Sequence, residues 1–271
     1  MRELLRPLLF LAVALAVRAP AAPAAAPDIL ILMPDQFRGD AMSGVGHPAV
    51  RTPNLDALAA EGTLFRRAYS SVPSCIPARF ALLTGQEPQT SGVVGYAARK
   101  ITVPTLPATL AAAGYATAFV GRNMHQSADS GDLGYQRRVF ASTYLADDDY
   151  DLELKRSLPE TGGIRGIVAA LRLDNNRWPA APWPHPEELH PTAWIVRRSR
   201  EAVAATPAER PLFLTTSFYA PHPPLFPPAR HFERHLAGRL PPVAMGSWVD
   251  CSKLRPEGDK SGARKIGRAH V

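Results

Sequence analysis

Short apolar runs alternate with segments of helical character along the middle of the chain. The first run, residues 28–33, reads DILILM and ends at Pro34 and Asp35. A continuous apolar run of this length predicts a central strand that is buried on both faces of a parallel sheet. Similar runs occupy residues 115–120 and 211–219. The alternation predicts an α/β fold with a mostly parallel sheet, in which side chains that follow the strands are candidate site residues.

Helix-starting signals lie between the apolar runs. Thr52 and Thr105 each stand one or two positions before a proline, the favoured order for a capping hydroxyl and a first-turn proline, and a glycine follows each helical segment. A third helix is predicted at residues 193–205. Residues 126–190 are polar, aromatic and interrupted by proline, so only loops and short helices are predicted there.

The charge distribution argues against a nucleic-acid partner. The chain has 271 residues and a formal net charge of +7, but most of the excess lies in residues 1–27 and 244–271. The intervening body has no basic stripe with interleaved aromatic residues. We therefore expect no nucleic-acid binding.

The N-terminus has the pattern of an export signal. Arg2 and Arg6 precede an apolar run at residues 8–17, and small residues follow that run. The run is too short to span a bilayer, so no stable membrane span is expected. Residues 1–26 are predicted to be a signal peptide that directs the protein to the periplasm or the exterior. The alternative, a buried N-terminal helix, is disfavoured by three prolines within residues 20–27.

The C-terminal residues 244–271 are predicted to be a non-native tail. Residues 265–271 resemble the translation of a widely used sequencing adapter, and the apolar periodicity of helices and strands is absent from about residue 244 onward. On this interpretation Cys251 has no function and the chain stops before its natural end. The alternative is an ordinary basic polar tail.

The most specific motif is CIPARFALLTG at residues 75–85. This segment resembles the signature of the type I sulfatases, C-x-P-x-R followed by a short helix and T-G. Residues 27–35 and 52–63 and the P-H-x-P segment at residues 221–224 also match that family. The resemblance implies an alkaline-phosphatase-like α/β/α sandwich, with residues 27–243 as the N-terminal part of the catalytic domain.

The resemblance also implies how the reaction proceeds. Cys75 would be oxidised to formylglycine by a formylglycine-generating enzyme, and its hydrate would attack the sulfur of a sulfate ester. A residue at a helix start suits this role, since the helix dipole favours an anion there. Arg79 would fix the hydrate and neutralise charge, since its planar fork of donors suits oxyanions better than a lysine does. Calcium would polarise the sulfate, with Asp35 and modified Cys75 among its ligands.

Three further residues are candidates for the catalytic machinery. Imidazole titrates near neutral pH, which makes histidine a suitable acid or base. By resemblance, His125 belongs near the formylglycine hydrate and His222 near the leaving oxygen. Arg122 stands where the family commonly has lysine, so its cationic role is expected to survive the exchange.

Two departures from the family pattern concern the metal site. Gln36 stands where the family often has a second aspartate, and its neutral carbonyl removes one negative charge from the predicted calcium site. The family's second acidic metal pair and a downstream lysine would lie beyond the end of this chain. We therefore expect the 271-residue fragment to be inactive by itself.

Three functions remain open at this point. The first is hydrolysis of a small-molecule or saccharide sulfate ester. The second is hydrolysis of a phosphonate or a phosphodiester by a member of the same superfamily, because tetrahedral sulfate and phosphate groups need similar donors. The third is a truncated product without activity. Residues 147–149 are three aspartates, which we interpret as a solvated acidic turn rather than a metal site, because consecutive side chains do not all face one ion.

Overall fold

The computed structural model describes residues 26–97, 99–124, 131–143, 145–174, 179–238, 241 and 247. The predicted signal peptide and C-terminal tail therefore lie almost entirely outside the described residues. The strands are β1 (Ile29–Pro34), β2 (Ala116–Gly121), β3 (Arg137–Phe140) and β4 (Leu212–Phe218). The helices are α1 (Pro53–Glu61), α2 (Cys75–Thr84), α3 (Pro88–Ser91), α4 (Leu106–Ala112), α5 (Asp149–Ser157), α6 (Ile164–Ala170), α7 (Pro191–Ala204) and α8 (Ala229–Ala237). Single 3₁₀ turns occupy Ser43–Val45, Pro159–Thr161 and Glu187–Leu189.

The four strands form one parallel sheet in the order β1-β4-β2-β3. Leu214 of β4 lies opposite Leu30 of β1 on one side and opposite Ala118 of β2 on the other. Because all described strands run the same way, their carboxyl ends meet at one edge of the sheet. This arrangement confirms the parallel α/β fold predicted from the apolar runs.

The prediction that β1 is a central strand buried on both faces is wrong for the described chain. β1 is the edge strand of this sheet, and Leu30 and Leu32 are 56% and 50% exposed. The central position belongs to β4, whose first six residues are all buried. The difference arises because an apolar run specifies a strand but not which neighbours will cover it.

Helices cover the sheet on both faces. On one face, Trp194 and Ile195 of α7 pack with Leu214, and Trp194 meets the edge of the Tyr150 ring of α5 at 5.4 Å. On the opposite face, Leu83 of α2 belongs to a second core cluster that includes Phe119, Tyr135, Met124 and Phe213. Neighbouring residues such as Phe119 and Val120 therefore enter different clusters, as strand geometry requires. The result is the expected α/β/α layering.

The two predicted threonine caps behave differently. Thr105 accepts a hydrogen bond from the Ala108 N–H at 3.2 Å and caps α4 as expected. Thr52 makes no such bond at the start of α1. Its hydroxyl instead accepts from the Ser43 N–H at 3.0 Å and donates to Asp56 at 3.1 Å. A tertiary contact has replaced the local cap, so the expected capping by Thr52 is wrong although the helix itself forms.

Residues 126–190 contain more regular structure than the sequence predicted, including β3, α5 and α6. The three aspartates lie at the start of α5. Asp148 accepts from the N–H groups of Asp151 at 2.9 Å and Ser142 at 2.6 Å, while Asp149 accepts from Phe140 at 2.7 Å. Burial raises the pKa of Asp148 to about 7. Asp147 and Asp149 are exposed, as expected for a solvated turn, but Asp148 is half-buried and fixes α5 against the end of β3.

None of the helices within the described residues is both long enough and apolar enough to cross a membrane.

Gly121, the last residue of β2, lies where the sheet has no room for a side chain. Its φ is +114°, and a Cβ would stand 1.9 Å from the Ser217 carbonyl oxygen of β4. We predict that Gly121→Ala lowers the free energy of unfolding by more than about 4 kcal/mol. The new methyl group would force β2 and β4 apart at Ser217, and the alanine would also hold a left-handed conformation that is unfavourable for it. Urea denaturation measures this.

Gly114→Ala is the matched control for that substitution. Gly114 has a similar φ of +95°, but a Cβ there has nothing within 4 Å. The control should lose only about 1–2 kcal/mol, the cost of the left-handed conformation alone. Equal losses in the two variants would contradict the close approach between β2 and β4.

Candidate active site

Three of the predicted site residues follow strands at the carboxyl edge of the sheet, and two more reach the same place from α2. Asp35 directly follows β1, Arg122 directly follows β2, and His222 lies in the loop after β4. Cys75 and Arg79 come from the first two turns of α2. The structure therefore brings together five of the six predicted residues. The sixth, His125, lies outside the described residues, and its role stays a prediction.

Backbone hydrogen bonds continue past the strand ends and fix the positions of these side chains. The Asp35 N–H donates to the Phe218 carbonyl at 3.1 Å, and the Arg122 N–H donates to the Ser217 carbonyl at 2.8 Å. Both acceptors belong to β4, so the central strand sets the separation between Asp35 and Arg122. The site is thus built on the rigid frame of the sheet.

Asp35 binds two buried arginines with the same carboxylate oxygen. Its Oδ2 accepts a hydrogen bond from Arg79 Nη2 at 2.8 Å and forms an ion pair with Arg122 Nη1. Asp35, Arg79 and Arg122 are 6%, 5% and 1% exposed. Two guanidinium groups against one carboxylate leave one excess positive charge in a buried place, and such a site attracts an anion.

Additional contacts orient both guanidinium groups. Arg79 Nη1 lies 3.4 Å from the Ser217 hydroxyl oxygen and 3.4 Å from the sulfur of Met124. The Arg122 guanidinium lies over the ring of Tyr219, 4.7 Å from its centre. An aromatic face stabilises a cation held in this position. Sequence reasoning missed Tyr219 and Ser217, although both belong to the apolar run at residues 211–219 that leads into the site.

Cys75 is the first residue of α2 and is partly exposed. Its sulfur lies 3.9 Å from Oδ1 of Asp35, the oxygen that the arginines do not use in the contacts described above. Residues four apart lie on the same face of a helix, so the C-x-P-x-R spacing turns Arg79 toward the same edge as Cys75. A group carried by Cys75 therefore faces the excess positive charge and the helix N-terminus.

His222 lies beside the same cluster with a fixed ring orientation. Its Nδ1 is 2.6 Å from the Pro223 carbonyl oxygen, so Nδ1 carries the proton and donates, and Nε2 has the lone pair. The ring meets the Tyr219 ring edge-on at 4.9 Å. Burial lowers the pKa of His222, and the positive charges of Arg122 and Arg79 lower it further. His222 is consequently neutral at neutral pH.

Hydrogen bonds from residues 180–190 hold the loop that carries His222. The Ala181 N–H donates to the Leu225 carbonyl at 3.0 Å, and the Trp183 N–H donates to the Pro227 carbonyl at 2.9 Å. His190, 5% exposed, places its Nε2 3.2 Å from the Phe226 carbonyl oxygen. Burial lowers the pKa of His190 to about 4, which keeps it neutral and structural. No sequence motif had indicated this role for His190.

The described residues do not by themselves fit a calcium ion. Asp35, Cys75 and His222 each offer one ligand atom, and these atoms lie within 4.8 Å of one another. They supply one oxygen, one sulfur and one nitrogen, whereas calcium takes about six to eight oxygens. Oδ2 of Asp35 is in addition engaged by the arginines. Calcium binding by Asp35 and modified Cys75 therefore stays a prediction, and calcium has no part in the steps proposed below.

Comparisons with known proteins agree on the family. The sulfatase family model matches residues 27–236. An arylsulfatase from Clostridium perfringens is 34% identical over 240 residues, which cover 83% of this chain and 49% of that protein. A choline-sulfatase from Rhizobium meliloti is 36% identical over 122 residues, which cover 45% of this chain and 24% of that protein.

A solved structure shows the same fold. The phosphonate monoester hydrolase of Agrobacterium radiobacter superposes with a TM-score of 0.63 at 25% identity, covering 77% of this chain and 44% of that one. The chain spans about half the length of the arylsulfatase that it matches. With an α/β fold of the alkaline-phosphatase type and a family match over most of its length, the chain belongs to the sulfatase family.

Proposed function

We propose that the protein hydrolyses sulfate esters by means of a formylglycine formed from Cys75. The observation that carries this proposal is the pair of buried arginines, Arg79 and Arg122, which share one oxygen of Asp35 next to Cys75. A sulfate ester carries a single negative charge, which matches the single excess positive charge of the three buried side chains. The family membership and the arylsulfatase relative support the same assignment.

The surroundings of Cys75 fit a formylglycine. The residue starts a helix, is partly exposed, and faces one oxygen of the carboxylate whose other oxygen binds Arg79 and Arg122. The hydrated aldehyde supplies a hydroxyl group that attacks the sulfur in line with the departing alcohol oxygen. Unmodified cysteine supplies no such hydroxyl, so maturation by a formylglycine-generating enzyme is part of the proposal.

The residues of this chain divide the remaining work. Arg79 and Arg122 bind the sulfate oxygens and stabilise the charge that develops on them, since their donors are already oriented before substrate arrives. Asp35 holds the two guanidinium groups in place. His222 stands at the edge of the cluster, where its Nε2, after taking up a proton from solvent, would pass that proton to the leaving oxygen. His125 would take the proton of the second hydroxyl of the hydrate, so that the bond to the covalent sulfate breaks, sulfate leaves, and the re-formed aldehyde is hydrated again by water.

Export from the cell also belongs to this proposal. The signal pattern of residues 1–26 lies outside the described residues apart from residue 26, and its support is the sequence alone. The substrate would then be an extracellular or periplasmic sulfate ester, either a small molecule or a saccharide.

A second candidate function is supported by one comparison. The superposed phosphonate monoester hydrolase has the same fold at 25% identity. A phosphonate monoester or a phosphodiester is also a monoanion, so the charge of the arginine pair does not separate these substrates from a sulfate ester. Only the relative rates of turnover of these substrates distinguish the two candidate functions.

We predict that co-expression with a formylglycine-generating enzyme converts Cys75 to the aldehyde, because the complete C-x-P-x-R segment is present. Mass spectrometry of the peptide that contains Cys75 measures the conversion. Pro77→Ala with Arg79→Ala is the matched control, since it removes the motif and keeps the cysteine. A wild-type Cys75 that stays unmodified under these conditions would count against the proposal.

We predict next that the whole protein, with Cys75 converted, prefers monoanionic esters. Its kcat/KM should be highest for an aryl sulfate, lower for a phosphonate monoester, and lowest for a dianionic phosphate monoester, which one excess positive charge does not balance. Parallel assays with p-nitrophenyl esters measure the three values. A higher value for the phosphonate than for the sulfate would favour the second candidate function.

The third prediction concerns the buried ion triad. Asp35→Asn should lower the free energy of unfolding by about 3–5 kcal/mol, because two buried guanidinium groups lose their counter-charge. Asp40→Asn is the control, since Asp40 pairs with Arg38 but is 61% exposed, and such a pair contributes about 0–1 kcal/mol. Urea denaturation compares both variants with the parent. A loss at Asp35 no larger than at Asp40 would refute the structural role of the triad.

A further inference from the structure

The loop after β1 and the helix α1, residues 36–62, have few ties to the rest of the described structure. None of these residues is buried among the described residues. Every hydrogen bond that they make within the described part of the chain joins them to one another. The hydrophobic clusters of the described residues contain none of them. The stability of this segment is therefore not tied to that of the sheet.

One carboxylate joins the loop to the helix. The Ser43 N–H donates to the Thr52 hydroxyl oxygen at 3.0 Å, and the Thr52 N–H donates to the Ser43 hydroxyl oxygen at 2.7 Å. Both hydroxyls in turn donate to Asp56 in the first turn of α1, at 2.5 Å from Ser43 and 3.1 Å from Thr52. The Gly44 N–H also donates to Asp56, at 2.8 Å. These four residues form one hydrogen-bond network, which we call the Asp56 network.

The Asp56 network needs a carboxylate rather than an amide. Oδ2 of Asp56 accepts from Ser43, and Oδ1 accepts from Gly44 and Thr52, so both oxygens face donors. The hydrogen bond from Ser43 is the largest cause of a lowered pKa of Asp56, and those from Gly44 and Thr52 add to it, while desolvation opposes the shift. An asparagine in place of Asp56 would set its NH₂ group against one of these donors, and two donors form no hydrogen bond.

We propose that residues 36–62 open and close as one unit beside the site, and that Asp56 holds this unit closed. Loss of the Asp56 network separates the loop from α1, and no buried side chain of the described segment keeps either of them in place. The sheet is unaffected, because residues of other elements form its core. The Asp35 N–H stays bonded to the Phe218 carbonyl, so the opening ends where the site begins.

Hydrogen exchange of the folded 271-residue chain measures the opening without any turnover. In the parent chain, peptides from residues 36–62 should be protected about a hundredfold less than peptides from β4. Asp56→Asn should lower the protection of residues 36–62 by about another tenfold and leave β4 unchanged. Glu61→Gln is the matched control, since it makes the same change of charge at an exposed position of the same helix. It should exchange like the parent chain.

Limited digestion with trypsin provides a second measurement. Cleavage after Arg51 requires the loop to open, because a protease needs an extended stretch of chain, and Thr52 is held by the Asp56 network. Asp56→Asn should therefore speed cleavage at Arg51 about tenfold. Arg66 and Arg67 are exposed outside the unit, so cleavage there should keep its rate and serves as the internal control.

Ser43→Ala keeps the proposal testable if Asp56→Asn fails to fold. Ser43→Ala removes another member of the Asp56 network and should speed exchange in the same residues. The double variant should exchange little faster than the faster single variant, because both substitutions remove one network. Protection of residues 36–62 equal to that of β4 in the parent chain, unchanged exchange in folded Asp56→Asn, or equal acceleration in residues 36–62 and in β4 would each overturn the proposal.

Discussion

The carboxylate of Asp35 is the interaction on which the rest of the site depends. Its Oδ2 binds Arg79 and Arg122, both almost fully buried, and without this anion the two guanidinium groups would repel each other in a place that water does not reach. Because one carboxylate offsets only one of them, the cluster keeps a positive charge. In the proposed function, that positive charge favours the anionic group of the substrate next to Cys75.

The parallel sheet supplies the rigidity that this charge cluster needs. β4 lies between β1 and β2. Its Ser217 carbonyl accepts a hydrogen bond from the Arg122 N–H, and its Phe218 carbonyl accepts one from the Asp35 N–H. Gly121 permits the close approach of β2 to β4 immediately before Arg122. The two partners of the ion pair are therefore positioned by backbone contacts rather than by flexible loops.

Much of this arrangement could be predicted from local sequence patterns, and the exceptions share a physical cause. The run at residues 211–219 predicted β4 almost to its ends, and the C-x-P-x-R spacing placed Cys75 and Arg79 correctly on α2. Asp35 was predicted as a metal ligand, and its two arginine partners were not anticipated, since they come from distant parts of the chain. The short strand β3 was missed because two arginines within four residues hide its strand character.

The burial of individual residues also depends on parts of the chain that local sequence patterns do not include. The apolar run of β1 indicated a strand, but its edge position depends on β4, which lies about 180 residues further along the chain. Thr52 lost its expected capping role to nearby side-chain contacts, with Ser43 before the helix and Asp56 within it, which the capping pattern does not specify. Local patterns identify elements, while the pairing of elements decides which surfaces and charges meet.

The most direct test of the central claim is the rate of aryl-sulfate hydrolysis by the whole protein with Cys75 converted to formylglycine. The comparison is with a Cys75→Ala protein prepared in the same way. The account predicts turnover by the converted protein and none above background by the variant, because the nucleophile is absent. Equal turnover by the two proteins would contradict it.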